Sequence, residues 1–316
     1  MIILWILIFI ASLFFLIKSA DYFTEYAEKI GISFGLNSFI IGATIVAIGT
    51  SLPELVSSLF ALHAGETAFV IDNIVGSNIA NALLILGIGG VVARPLLAKT
   101  SLINVELPFF FMSMAAFSYF LIDKTISRNE GIALVALLLV FMAYQIHQKT
   151  SVGIEDEIEN KEVKKGWRNT IKYILIIIIS GTILSFSAKY LIDSIIMLSK
   201  LLKISSSTLT ITVVAFGTSL PEVLTSLSAI KRGNHGMAIG NVLGSNTFNL
   251  LLIGGLPAII QELHVSPETF MIGFPFLVIS TFLAIFVLFD NKIHLWEGFA
   301  MLFFYLIFIG KIVGIM

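Results

Sequence analysis

Long apolar runs separated by short polar or glycine-containing breaks divide the chain into ten segments. They fall near residues 2–17, 36–62, 69–92, 103–122 and 130–147, then near 171–190, 205–230, 237–260, 269–289 and 294–313. At about 1.5 Å per residue, helices of this length match a hydrocarbon layer of about 30 Å. One polar stretch interrupts the series, from Lys149 to Thr170, with Glu155, Asp156, Glu157, Glu159, Lys161, Glu162, Lys164, Lys165 and Arg168. It reads as a solvated linker, too short for a folded domain of its own. The first segment lacks a basic leader and an A-x-A cleavage site, so it is expected to stay as a helix. The pattern predicts an all-α integral membrane protein with ten transmembrane helices.

Composition strengthens that picture. Of 316 residues, 57% are apolar and 12% charged, against about 45–50% and about 25% in a soluble domain. So little charge cannot cover a soluble globule, which excludes a soluble enzyme. Nineteen Lys and Arg against twenty Asp and Glu leave a net charge of −1, so there is no basic footprint for nucleic acid. The absence of cysteine removes disulfides, thiolate metal sites and cysteine nucleophiles. Counting Lys and Arg on alternating sides gives 13 on the linker side and 6 on the other. The excess of positive charge predicts a cytoplasmic linker and both termini outside a cell membrane.

The chain also resembles itself. A shift of 168 residues aligns TIVAIGTSLPELVSSL, from Thr44, with its counterpart from Thr212, and eleven of these sixteen positions are identical. The same shift pairs Asn73 with Asn241, Ser77 with Ser245 and Asn81 with Asn249. The chain is therefore a duplication. Five spans per copy is an odd number, so the second copy is expected to lie inverted relative to the first. The expected organisation is a first repeat over 1–148, the linker over 149–170 and a second repeat over 171–316. Inverted repeats of this kind characterise secondary transporters, whose sites lie near the midplane where interrupted helices meet.

Glu54 and Glu222 each follow a proline inside an apolar run. A charge at the centre of a bilayer costs about 2.5–3.5 kcal/mol on insertion scales, so two of them call for a compensating cation. Ser51 with Glu54 also fits a capping box, with Pro53 in the first turn. The two readings are compatible. A helix broken at GTSLPE, with Ser51 and Ser219 capping the new starts, frees carbonyls of Ala47, Ile48, Thr50, Ala215, Phe216 and Thr218 to line an ion cavity. The second block, N-x-x-G-S-N-x-x-N, spans Asn73–Asn81 and Asn241–Asn249. Ser77 shares a helix face with Asn81, as Ser245 does with Asn249. Small-residue packing explains such a block equally well, but its shared shift with the glutamates favours a site. Carboxylate, hydroxyl, amide and carbonyl oxygens suit hard cations such as Ca2+ and Na+. No H-E-x-x-H, G-x-S-x-G or G-x-G-D motif is present, and His63 and His235 sit at span ends as loop residues. Enzyme chemistry is not expected.

The doubled GTSLPE, each copy followed by a GSN block, resembles the alpha repeats of the sodium/calcium exchanger family, in the cation/calcium exchanger superfamily. The resemblance spans essentially the whole chain. It implies an antiporter that exchanges Na+ for Ca2+, with both ions as substrates, no cofactor, the bilayer as its surroundings and a functional monomer. By resemblance Glu54 and Glu222 are the central Ca2+ ligands, aided by oxygens of Thr50 and Thr218. Flanking Na+ sites use Ala47, Ser51, Ser77, Ala215, Ser219 and Ser245, and Asn81 and Asn249 line the centre. Potassium-dependent relatives typically carry an acid at one of the last two positions, as do some prokaryotic exchangers, and asparagine at both favours K+-independence. Asp72 stands where its repeat mate is Gly240, and it reads as a helix-end charge more than as an acid at the mouth.

Magnitudes bound the coupling. Extruding one Ca2+ against a gradient of about 10^4 and about 100 mV costs about 10 kcal/mol, while each Na+ entering down a tenfold gradient supplies about 3.7 kcal/mol. Three Na+ suffice and two do not. A divalent cation/H+ antiporter, Ca2+/H+ included, is the alternative, because a buried glutamate can carry a proton in place of Na+. The first and sixth spans lack motif residues, so they are expected to move against the other eight.

Overall fold

The computed structural model describes residues 2–98, 102, 106–148, 166–201 and 219–314. Its helices are α1 (Ile2–Ser33), α2 (Ser38–His63), α3 (Thr67–Ala93), α4 (Glu106–Phe120), α5 (Arg128–Gln148), α6 (Trp167–Leu201), α7 (Leu220–Lys231), α8 (His235–Ile260), α9 (Thr269–Val287) and α10 (Leu295–Ile312). Seven helices among the described residues are long and apolar enough to cross a membrane: α1, α2, α3, α6, α8, α9 and α10. The fold is an all-α integral membrane architecture. The expected linker residues 149–165 and the start of the expected seventh span lie outside the described residues.

Two spans are much longer than the hydropathy pattern predicts. The first runs to Ser33 rather than residue 17, and the sixth covers Trp167–Leu201 rather than 171–190. The cause is polarity that neighbours satisfy. Beyond Ile17, α1 carries Lys18, Asp21, Glu25, Glu28 and Lys29, which ends the apolar run without ending the helix. Asp21 Oδ1 accepts a hydrogen bond from Ser228 Oγ on α7 at 2.7 Å, and Lys29 pairs with Glu25 at 2.5 Å. Arg232, just past α7, donates to the Asp21 carbonyl at 3.2 Å and to Glu25 at 3.0 Å. On α6, Ser194 returns its hydroxyl to the Leu191 carbonyl at 2.6 Å.

Two short ribbons fix the topology. β1 (Leu96–Leu97), after α3, pairs antiparallel with β4 (Lys292–Ile293), between α9 and α10, with Leu96 opposite Ile293. β2 (Thr125–Ile126), between α4 and α5, pairs with β3 (Leu263–His264), between α8 and α9, with Ile126 opposite Leu263. The 168-residue shift carries Thr125 onto Ile293 and Leu96 onto His264, so each ribbon maps onto the other. One crossing by α4 separates them. The repeats are therefore inverted about a pseudo-two-fold axis, as helix packing repeats: α10 lies on the end of α3, and α5 on the end of α8.

The most buried spans are α3 and α8, 83% and 78% inside the protein, against 17% for α1 and 28% for α10. The two N-x-x-G-S-N-x-x-N blocks thus ride on the most buried helices, while the outer ones present apolar side chains such as Phe14, Phe286 and Phe303 outward, as lipid requires. A seam of small residues lets α8 lie against α2. A Cβ on Gly244 would stand 2.6 Å from the Ala43 carbonyl oxygen, and one on Gly42 2.8 Å from the Asn241 nitrogen. Gly240 meets the Phe39 carbonyl still more closely. This is the small-residue contact that allows helices to approach in a membrane. Its repeat mate Asp72 cannot make the same contact, and its Oδ1 instead accepts from Ser266 Oγ at 2.9 Å.

Contrary to expectation, the first GTSLPE does not break its helix. The segment Ala47–His63 runs through Pro53 as continuous α-helix, and the irregularity is a π-helical stretch one turn earlier, Gly42–Val46. Within that helix the proline leaves the Gly49 carbonyl without its usual donor. Ser51 is consequently an interior helix residue and no N-cap. Ser219 does precede α7, with Pro221 in the first turn, yet its side chain makes no capping hydrogen bond.

Candidate ion-binding site

Glu54 on α2 and Glu222 on α7 are each 1% exposed, and none of their four carboxylate oxygens has a hydrogen-bond partner. The two lie within electrostatic reach of each other. Buried carboxylates without partners are expensive, and two together more so. The hydroxyls of Ser51, Ser77 and Ser219 and the amides of Asn81 and Asn249 share their state, buried and without partners. The hydroxyls of Thr50 and Ser51 face the Glu222 carboxylate from the other repeat, close enough to interact though outside hydrogen-bond geometry. Ala47 is buried, with its carbonyl 3.4 Å from Thr50 Oγ1. Ser245 is wholly buried, 3.4 Å from Thr50 Oγ1. Thr218 and Ala215, the remaining candidates, lie outside the described residues.

Local backbone explains how the amides arrive here. Asn81 lies in the π-helical stretch Ala80–Ile85 of α3, and Asn249 opens the stretch Asn249–Ile253 of α8. These two bulges are related by the repeat shift, and each inserts an extra residue where an amide enters the interior. Such π turns recur at functional sites. α7 packs on the first stretch and α2 on the second, so each glutamate helix meets an amide of the opposite repeat. At the axis itself, Asn246 Nδ2 donates to the Asn78 carbonyl at 3.3 Å, a contact between positions 168 apart.

One residue of this interior escapes a motif reading. Asn241 joins α2, α7 and α8 through a single side chain, with Thr50 Oγ1 at 3.3 Å, Ser226 Oγ at 2.9 Å and Ser245 Oγ at 3.4 Å. The available signal was its place at the head of the duplicated N-x-x-G-S-N-x-x-N block. His63 is exposed, and His235 Nδ1 accepts from the Leu97 nitrogen at 3.3 Å in a loop contact. Among the described residues no three His, Cys, Asp or Glu side chains converge. Donors beyond the two carboxylates are therefore neutral oxygens, the set hard cations prefer.

The model of the family described as sodium/calcium exchanger protein matches residues 4–147 and 172–313. The chain belongs to that family. Among relatives of this exchanger chain is the sodium/calcium exchanger MaX1 of Methanosarcina acetivorans, 31% identical over 96% of this chain and 97% of its own. The uncharacterized membrane protein MJ0091 of Methanocaldococcus jannaschii is 32% identical over 99% of both. A solved structure of the sodium-calcium exchanger NCX_Mj, soaked with 2.5 mM Na+ and 10 mM Sr2+, superposes with a TM-score of 0.84 at 28% identity, covering 98% of this chain and 99% of that one. Membership of an exchanger family makes the chain a multi-pass membrane transporter.

Proposed function

We propose that the chain is a secondary antiporter that exchanges three Na+ for one Ca2+ by alternating access, independently of K+, with the linker cytoplasmic and both termini outside. The observation that carries this is the interior itself. Four carboxylate oxygens without partners share the interior with buried hydroxyl and amide groups, also without partners, from both inverted repeats. One Ca2+ neutralises the pair of glutamates, and so do two Na+, with a third Na+ held by neutral oxygens. A proton would need no such set of oxygens, which favours Na+ over H+ as the coupling ion. Names of relatives that include sodium and calcium support the same ions. The test is Ca2+ uptake into proteoliposomes loaded with Na+, compared with a proton gradient and with none. Uptake that needs the Na+ gradient and ignores K+ is expected; uptake driven by pH alone would replace Na+ with H+.

Alternating access asks which helices move. α1 and α6 pack on each other through Leu16, Ala20, Leu184, Ala188 and Leu191, and neither carries a candidate ligand, so in this reading they slide as a pair. At the Ser33 end of α1, sliding must break the contacts of Asp21 and Glu25 with Ser228 and Arg232. The repeat mates of Asp21, Glu25, Ser228 and Arg232 are Lys189, Asp193, Phe60 and Ala64, which cannot form the same bonds, so this tie exists at one face. Arg232→Ala removes part of it. Because partly exposed ion pairs contribute modestly, half-saturating Ca2+ at that face is expected to fall about two- to fivefold. Equal shifts at both faces would contradict a one-sided tie.

A further inference from the structure

Asn241 is 0% exposed, and its amide is used on both sides. The nitrogen donates to Ser226 Oγ at 2.9 Å and to the Glu222 carbonyl at 3.5 Å. The oxygen lies within reach of two hydroxyl donors, Ser245 Oγ at 3.4 Å and Thr50 Oγ1 at 3.3 Å. Thr50 can also turn its hydrogen to the Val46 carbonyl at 3.1 Å, whereas Ser245 reaches the Asn241 oxygen and the Thr50 oxygen, both at 3.4 Å. A hydroxyl that ligates a cation must present its lone pairs to the ion and direct its hydrogen elsewhere. A primary amide offers an acceptor for that hydrogen and two donors, here directed at Ser226 and the Glu222 carbonyl.

We propose that Asn241 is the positioning residue of the ion site: its amide oxygen takes the hydroxyl hydrogen of Ser245, so that the Ser245 oxygen faces Na+. Its amide nitrogen meanwhile fixes the turn of α7 that carries Glu222. Asn241 touches no ion, because its acceptor oxygen is occupied by hydroxyls. This rests on the exchanger reading above and adds a residue to it. The repeat mate Asn73 is only half-buried, with Ser58 Oγ at 3.5 Å, so the device belongs to the half that holds Ser245.

The test is Na+-driven Ca2+ flux and direct Na+ binding in Asn241→Ala, Ser245→Ala and the double variant, beside the unmodified protein. Asn241→Ala is expected to raise half-saturating Na+ about tenfold, a larger change than in maximal flux. In the Ser245→Ala background the same substitution is expected to raise half-saturating Na+ far less than tenfold, because the hydrogen it accepts is gone and only the hold on the Glu222 turn is left to lose. Effects that add in full, or an unchanged Na+ dependence in Asn241→Ala, would overturn the proposal. Asn241→Asp guards against a variant that fails to fold, since it keeps the acceptor oxygen. It is expected to bind Na+ closer to the unmodified protein than to Asn241→Ala, and an equal loss in both would contradict the role. No Na+-coupled flux in the unmodified protein would instead overturn the exchanger reading, and this inference with it.

Discussion

Glu54→Gln and Glu222→Gln are each expected to reduce Na+-driven Ca2+ flux by about a hundredfold or more, while the protein still folds. Each substitution keeps the size of the side chain and removes one of the two charges that a divalent ion neutralises. A hundredfold loss corresponds to about 2.8 kcal/mol, within the range for uncoupling a buried charge from its partner. The stability consequence has the opposite sign. Without ions, a buried carboxylate that has no hydrogen-bond partner destabilises the fold, so the variants are expected to melt no lower than the unmodified protein. Added Ca2+ separates them again: at a hundred times its dissociation constant a ligand stabilises by about 2.7 kcal/mol, and the variants should lose most of that gain. Melting curves with and without Ca2+ check both signs. Variants that melt well below the unmodified protein in the absence of ions would show that the glutamates serve structure.

Gly244→Val is expected to prevent assembly of the central helices altogether. A Cβ at Gly244 already stands 2.6 Å from the Ala43 oxygen and 2.7 Å from its Cα, and both are main-chain atoms of α2 that have no rotamer to change. Overpacking in cores costs about 1–3 kcal/mol where side chains can yield, so a clash with backbone belongs above that range. Gly244→Ala should fold with a lowered melting temperature and Gly244→Val should elute as aggregate, checked by size-exclusion chromatography and thermal melts. A Gly244→Val protein that is monodisperse and melts within a few degrees of the unmodified one would refute the close seam between α2 and α8.

What a reader of the sequence could see follows from how membranes restrict chains. Apolar runs located α2, α3, α5, α8, α9 and α10 to within two residues at nearly every end, because lipid tolerates little but satisfied helix. The duplication foretold inversion, which the exchanged ribbons β1–β4 and β2–β3 display. Hydropathy failed where polarity is satisfied by neighbours, as in the second half of α1, where Asp21 and Glu25 bond to α7. Local rules also failed at Pro53, which reads as a helix start but lies within a helix, the irregularity sitting upstream in the π turn at Gly42–Val46. That turn is a tertiary outcome: α8 packs against it, and nothing within the segment itself announces it. Residue type and the repeat together point to the candidate ligands. The role of Asn241 is not legible in this way, because its partners Thr50 and Ser226 come from other helices, and spacing along one helix cannot reveal them.

The central claim is that one interior, built around Glu54 and Glu222, holds Ca2+ or Na+ in turn. Equilibrium binding of radioactive Ca2+ to the purified protein, titrated with Na+ and separately with K+, tests it most directly. Na+ is expected to displace Ca2+ competitively and with a Hill coefficient above one, because several Na+ replace one Ca2+. K+ is expected to displace none. Ca2+ binding that persists at saturating Na+, with both ions held at once, would contradict a shared site.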